Sequence, residues 1–248
     1  MPRDEKKTRT IAFVTYPGLT LLDLVGPLSA FYGLDWPQVR SAGRYETVTV
    51  GERVEPLNSD TPMRLVPEKT FDEVPHPFGI IVPGGGVAAL ETMANDAIVD
   101  YVRTAAETAE VVGSVSTGAF ILAAAGLLDG RRATTHPAYG GSLKKLGADY
   151  VRRNWVEDGR FISAAGVSGG IDMALYVLAR LKNKPIAKRT QTVIEYDPDP
   201  PFGGIEQNGG ADANGLSTTL VEHRAELERA LADRPHLHEK LFGGSNLP

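Results

Sequence analysis

The stretch Val111-Val112-Gly113-Ser114-Val115-Ser116-Thr117-Gly118-Ala119-Phe120 decides the reading of the chain. An apolar, β-branched run stops at a small hydroxyl residue, and Thr117 to Ala125 then continues with helical character. This predicts a strand that turns sharply into a helix. Such an elbow lifts the Ser116 side chain above the sheet edge, at a helix N-terminus where backbone N–H groups and the dipole favour negative charge. The place suits a nucleophile, although serine is a weak one without a base to activate it. A hydroxyl there also fits a plain helix N-cap. Ser114-x-Ser116-x-Gly118 matches the hydrolase elbow Gly-x-Ser-x-Gly only in part.

Outward from the elbow, β and α signals alternate, the pattern of a mostly parallel sheet covered by helices. Strands are predicted at Thr10 to Thr15, Tyr45 to Gly51, Met63 to Val66, Gly79 to Val82, Glu110 to Val115 and Arg132 to Thr135. A hairpin is predicted over Trp155 to Ile162, with Asp158-Gly159 as its turn. Helices are predicted at Thr20 to Tyr32, with Pro27 at a first turn or a kink, at Asp96 to Ala109, Ala138 to Leu146, Ile171 to Leu181 and Pro185 to Tyr196. Asp197 to Gly204 cannot form a regular element, and Gln207 to Gly215 reads as a surface excursion. Thr218 to Leu231 recovers a helical pattern, with Glu222, Glu226 and Arg229 on its solvated face.

With 248 residues and 42% hydrophobic content, the chain can bury a large core as one α/β domain. Residues 1–9 form a charged extension, 10–202 the domain, and 203–248 a loop and helix packed on it or extending it. The net charge of -5 is spread over interspersed acidic and basic residues, which argues against nucleic acid or an anionic membrane as partner and for a small molecule. No apolar run spans a bilayer and the N-terminus is not signal-like, so a cytoplasmic location is expected. A chain without cysteine has neither disulfides nor thiolate metal sites.

Four further features carry candidate chemistry. Gly84-Gly85-Gly86 follows a buried strand; it lacks the lysine and spacing of nucleotide-binding motifs, and it fits a tight turn or a set of exposed N–H groups facing the elbow. Asp23 sits in the apolar run Leu21-Leu22-Asp23-Leu24-Val25, where it is either a helix cap or a desolvated carboxylate with a raised pKa that carries protons. His136, in Thr134-Thr135-His136-Pro137, is a structural polar residue or a triad member. His76, His223, His236 and His238 have no ligand constellation around them, so no metal is expected.

Six segments together resemble the ThiJ/PfpI superfamily, and within it the isonitrile hydratases: Leu21 to Leu28, Ile80 to Gly86, Val115 to Leu122, Gly126 to His136, Ala165 to Ser168 and Ile194 to Phe202. The resemblance runs from about Thr10 to Phe202 in matching order. It implies a flavodoxin-like, class I glutamine amidotransferase-like α/β/α sandwich of three layers that forms a homodimer and needs no cofactor. It also implies roles: Ser116 at the nucleophile position, Asp23 as the acidic partner, Thr117 serving the site through its N–H and hydroxyl, Gly85 and Gly86 as backbone donors, and Ala165 to Ser168 packed alongside. The resemblance implies that Asp23 and Thr117 favour the hydratases over protease- and glyoxalase-like relatives, many of which carry Glu and His in those places. Pro137 departs from the aromatic residue the resemblance leads one to expect. So does Ser116, because the family nucleophile is cysteine, a thiolate at such sites. Either the serine replaces an original cysteine or the gene encodes it. The resemblance leaves two other readings: a glyoxalase- or deglycase-like enzyme acting on reactive carbonyls, and a ligand-binding domain like those of AraC-type regulators.

Overall fold

The computed structural model describes residues 8–32, 45–202 and 223–243. Its centre is a seven-stranded sheet built from β1 Arg9–Val14, β2 Tyr45–Gly51, β5 Lys69–Thr70, β6 Gly79–Val82, β7 Val111–Val115, β10 Trp155–Asp158 and β11 Phe161–Ala164. The strand order is β10-β11-β7-β6-β1-β2-β5. All pairings are parallel except that of β10 with β11. β6 and β7 are buried along their whole length, as expected of parallel strands covered on both faces. The order of the long strands, with β1 between β2 and β6, is that of flavodoxin-like sheets, whose ligands sit outside the carboxyl ends at the switch point.

Helices α1 Leu21–Tyr32, α3 Asp96–Thr108, α4 Gly118–Ala124 and α6 Val167–Leu181 pack on the sheet, while α2 Val87–Thr92 and α5 Gly140–Lys145 pack against α4, and α7 Lys184–Val193 against α6. α3 shows how the sequence sets such an element. Asn95 caps it by accepting from Ile98 N–H, and Ile98, Val99, Val102, Ala105 and Ala106 form the buried stripe. α8 Arg224–Ala230 and α9 Pro235–Phe242 come after these, and Leu227, Leu231 and Leu237 of this region join the main core.

Several expectations need correction. The short third strand is Arg64–Leu65 (β4), which pairs antiparallel with Leu57–Asn58 (β3) off the central sheet, because the intervening turn is short enough to close locally. β3, β5 and α2 carry too few residues to show a period. Asp158 pairs with Phe161, so Gly159 and Arg160 form the hairpin turn and Asp158 belongs to the strand. Of the two places expected for Pro27, the first turn is overturned, since the residue lies inside α1. The segment after His136 starts as a 3-10 turn, Pro137–Tyr139, before α5. Arg132–Ala133 (β8) is shorter than expected and pairs with Asp149–Tyr150 (β9) in a separate two-stranded sheet. Asp197 to Phe202 is irregular. The remainder of that loop, the Gln207 to Gly215 excursion, Glu222 and residues 1–7 lie outside the described residues.

α4 begins where no side chain has room. A Cβ on Gly118 would lie 2.2 Å from the Val82 carbonyl oxygen and 2.7 Å from that of Pro83. Gly118→Ala is expected to push α4 off β6 and lower the unfolding free energy by about 1–3 kcal/mol, as read from urea denaturation.

Candidate functional site

Three chain reversals meet at the carboxyl ends of β1, β6 and β7: the β1–α1 turn, the Gly84-Gly85-Gly86 turn and the elbow at Ser116. Ser116 has φ 53°, a left-handed conformation that costs a non-glycine residue about 1–2 kcal/mol. Its N–H donates to the Ala164 carbonyl at 2.8 Å, and its own carbonyl accepts from the Thr135 hydroxyl at 2.8 Å. These bonds tie the strained residue to β11 and to the chain after β8. Ser116 is 9% exposed.

Asp23 occupies the first turn of α1 but does not cap it, because Leu21 N–H donates to Oδ1 of Asp60. Asp23 instead accepts from Gly84 N–H through Oδ2 at 3.2 Å, while Gly84 O accepts from Thr20 N–H at 2.7 Å. Asp23 is 1% exposed, and its Oδ1 has no partner among the described residues. Burial pushes its pKa up to about 7, with Asp60 adding to the rise and the Gly84 N–H opposing it. At neutral pH both protonation states are therefore populated. Asp23 and Ser116 face each other across Gly84. A Cβ on that glycine would lie 2.5 Å from Asp23 Oδ2, 2.8 Å from Ser116 Cβ and 2.9 Å from Thr117 N.

Thr117 links the elbow to the glycine turn. Its Oγ1 accepts from Gly85 N–H at 3.0 Å and Gly86 N–H at 2.9 Å, so both amides point at the threonine hydroxyl. Tyr16, at the end of β1, donates its hydroxyl to the Pro83 carbonyl at 2.7 Å. Its proton is held well above the usual phenol range by burial and by Asp23. Tyr16, Asp60, Gly84 and Thr135 are site residues that motif reading did not single out. Gly84 and Thr135 stood inside quoted motifs, whereas nothing in the local sequence marks Tyr16 or Asp60.

His136, next to Thr135, is half-buried; its Nδ1 is enclosed without a partner among the described residues, and burial lowers its pKa. No hydrogen bond joins it to Ser116 or Asp23 among the described residues. Of the other histidines, His76 and His236 are exposed, His223 pairs with Glu226, and His238 lies against Phe242. Among the described residues no group of three or more His, Asp or Glu side chains is placed to hold a metal, and no helix is long and apolar enough to cross a membrane.

The sequence model of the DJ-1/PfpI family matches residues 9–180, which include all three reversals. The chain belongs to the DJ-1/PfpI family. It is 35% identical over 238 residues to the isonitrile hydratase of Pseudomonas putida, covering 96% of this chain and 98% of that protein. A deglycase of Pyrococcus horikoshii is 32% identical over 96 residues, 38% of this chain and 58% of the deglycase. Among solved structures, a ThiJ/PfpI family protein from Pseudomonas syringae superimposes with a TM-score of 0.75 at 30% identity, over 94% of this chain and 96% of that one. The expected fold and superfamily are thus both shown.

The buried carboxyl makes a thermodynamic prediction. Its folded pKa of about 7 exceeds the unfolded value of about 3.9, so between these limits the folded state binds more protons than the unfolded chain. The Asp23 contribution to stability is therefore most favourable below about pH 4. It declines by up to about 1.4 kcal/mol per pH unit as pH rises to about 7, then stays level. Asp23→Asn should remove this dependence. Urea denaturation of both proteins between pH 4 and 8 checks it, and a difference that does not vary with pH would count against a raised pKa.

Proposed function

We propose that this chain is an isonitrile hydratase-like enzyme that adds water to R–N≡C to give the formamide R–NH–CHO, with Ser116 as nucleophile and Asp23 as proton carrier. The observation that carries the reading is the meeting of a left-handed Ser116 and a buried Asp23 of pKa about 7 across Gly84. The similarity to isonitrile hydratase along almost the whole chain supports the substrate class.

The steps balance with these two residues alone. The Asp23 carboxylate takes the Ser116 hydroxyl proton while Oγ attacks the terminal carbon of the isonitrile. A C–N π pair moves to nitrogen, and Asp23 returns the proton to the unshared pair that the carbon keeps, leaving a formimidate ester, R–N=CH–O–Ser116. Water adds to the formimidate carbon, a proton moves to nitrogen, and the bond to Oγ breaks with return of a proton to serine. R–NH–CHO leaves, and both residues are regenerated.

A pKa near 7 suits Asp23 to both halves of this cycle, since it gives and takes the proton with little penalty at neutral pH. Serine is the weaker element. A thiol held in such an elbow ionises at pH 7, whereas an alcohol must lose its proton during attack. We read Ser116 as standing at the family's cysteine position, which makes this chain a slow form of the hydratase. The active species is proposed to be a cytoplasmic homodimer without cofactor.

Ser116→Cys is expected to raise formamide production from a small aryl isonitrile by on the order of 10²-fold or more. Ser116→Ala and Asp23→Asn should abolish it. For the unsubstituted chain, kcat/KM should rise with pH to a plateau above about 7, because Asp23 must be ionised to accept the proton. Formamide release measured by chromatography checks all three. Turnover of methylglyoxal but not of isonitrile by the Ser116→Cys variant would transfer the site to the deglycase-like reading that the Pyrococcus relative suggests.

A further inference from the structure

Two non-glycine residues among those described have positive φ: Ser116 and, at 51°, Glu195. The second closes α7. Tyr196 N–H donates to the Gln191 carbonyl at 3.0 Å and Glu195 N–H to that of Thr192 at 3.2 Å. This is the bond pair of a Schellman ending, where glycine is usual because a side chain in the left-handed region costs about 1–2 kcal/mol. Gln191 Nε2 reinforces the turn by donating to the Tyr196 carbonyl at 3.0 Å. Strain maintained at a residue that glycine would relieve points to a function for the residue it presents.

That residue is Tyr196, laid on the first turns of α6. Its hydroxyl donates to the Ser168 carbonyl at 3.4 Å and lies beside the Asp172 carboxyl. Burial and the adjacent carboxyl push the phenol up to about 12, so it keeps its proton at any pH at which the enzyme is handled. This stretch of α6 has no slack. A Cβ on Gly170 would lie 3.1 Å from Val115 and 3.5 Å from Pro27, and one on Gly169 would lie 2.8 Å from the Asn154 carbonyl. On the facing helix, a Cβ on Gly26 would lie 3.2 Å from Ile171. The start of α6 is therefore wedged between α1, which carries Asp23, and β7, which ends one residue before Ser116.

We infer that Tyr196, presented by the left-handed turn at Glu195, is a positioning residue that pins the start of α6 and thereby sets the spacing of Asp23 and Ser116. The inference rests on the assignment of those two residues as the reacting pair. It concerns a contact outside the reacting groups, so its effect passes through the α6 wedge and not through substrate.

A thiol probe tests it without isonitrile turnover. Ser116→Cys introduces a single cysteine into a chain that has none, and alkylation by iodoacetamide as a function of pH reports its surroundings. Adding Tyr196→Phe keeps the ring and removes the hydroxyl. Alkylation at pH 7 is expected to slow on the order of tenfold. The midpoint of the pH profile should rise, because protonated Asp23 no longer reaches the thiolate. A purely structural tyrosine would lower the urea midpoint but leave rate and pH profile as they were, and that result overturns the inference. If Tyr196→Phe is too unstable to purify, Asp172→Ala removes the carboxyl beside that hydroxyl, with the same two outcomes. Slowed alkylation in a Ser116→Cys protein that fails to hydrate isonitriles would withdraw the assigned reaction but keep the positioning role. Unchanged alkylation with hydration intact would withdraw the positioning role alone.

Discussion

The site depends on one close approach: Gly84 has no side chain, so Asp23, Ser116 and the amide of Thr117 converge on the space a methyl group would fill. The same residue binds the β1–α1 turn in both directions, through its N–H to Asp23 and its carbonyl from Thr20. These contacts take a carboxyl out of water with, among the described residues, a single hydrogen bond to one oxygen and none to the other. An unpaired buried carboxylate is costly, and the molecule meets that cost by holding the proton until about neutral pH. The raised pKa is thus a consequence of the packing that brings the two residues together.

Topology explains why three turns meet there. With β1 between β2 and β6, the chain leaves β1 and β6 at the point where the strand order reverses, and neighbouring loops part to leave a crevice. β7 lies beside β6, which brings the elbow to the same edge. Ser116 is then held in a strained conformation by bonds to Ala164 and Thr135, and Thr117 gathers the amides of the glycine turn. Strain at the elbow and desolvation at Asp23 are both borne by a core that is buried on each face of the sheet.

Much of the fold is legible in the sequence. The long strands have continuous apolar runs and the long helices have clear stripes, so their periods survive there. Elements of two residues, such as β3, β5 and β9, have no period to read. The hairpin register differs by one residue from expectation because Asp158-Gly159 is a strong local turn signal, whereas Gly159, at φ 65°, takes the first turn position and leaves Asp158 paired with Phe161. Ser116, Thr117, Gly85 and Gly86 are marked by the strand-turn-helix pattern and the triglycine. Gly85 and Gly86 point their amides at Thr117 Oγ1, which no spacing argument could specify.

The sequence by itself determined the alternation of strand and helix, the elbow at Ser116 and the presence of a carboxyl in an apolar run, because these arise from local periodicity and residue chemistry. Only the tertiary structure decided that Asp23 faces Ser116 across Gly84, that Asp60 takes over the capping of α1, and that Tyr196 rests on α6. Each of these joins residues far apart in the chain. Their distances are set by strand order and by the room that glycine leaves, and neither quantity is written in any short window of sequence.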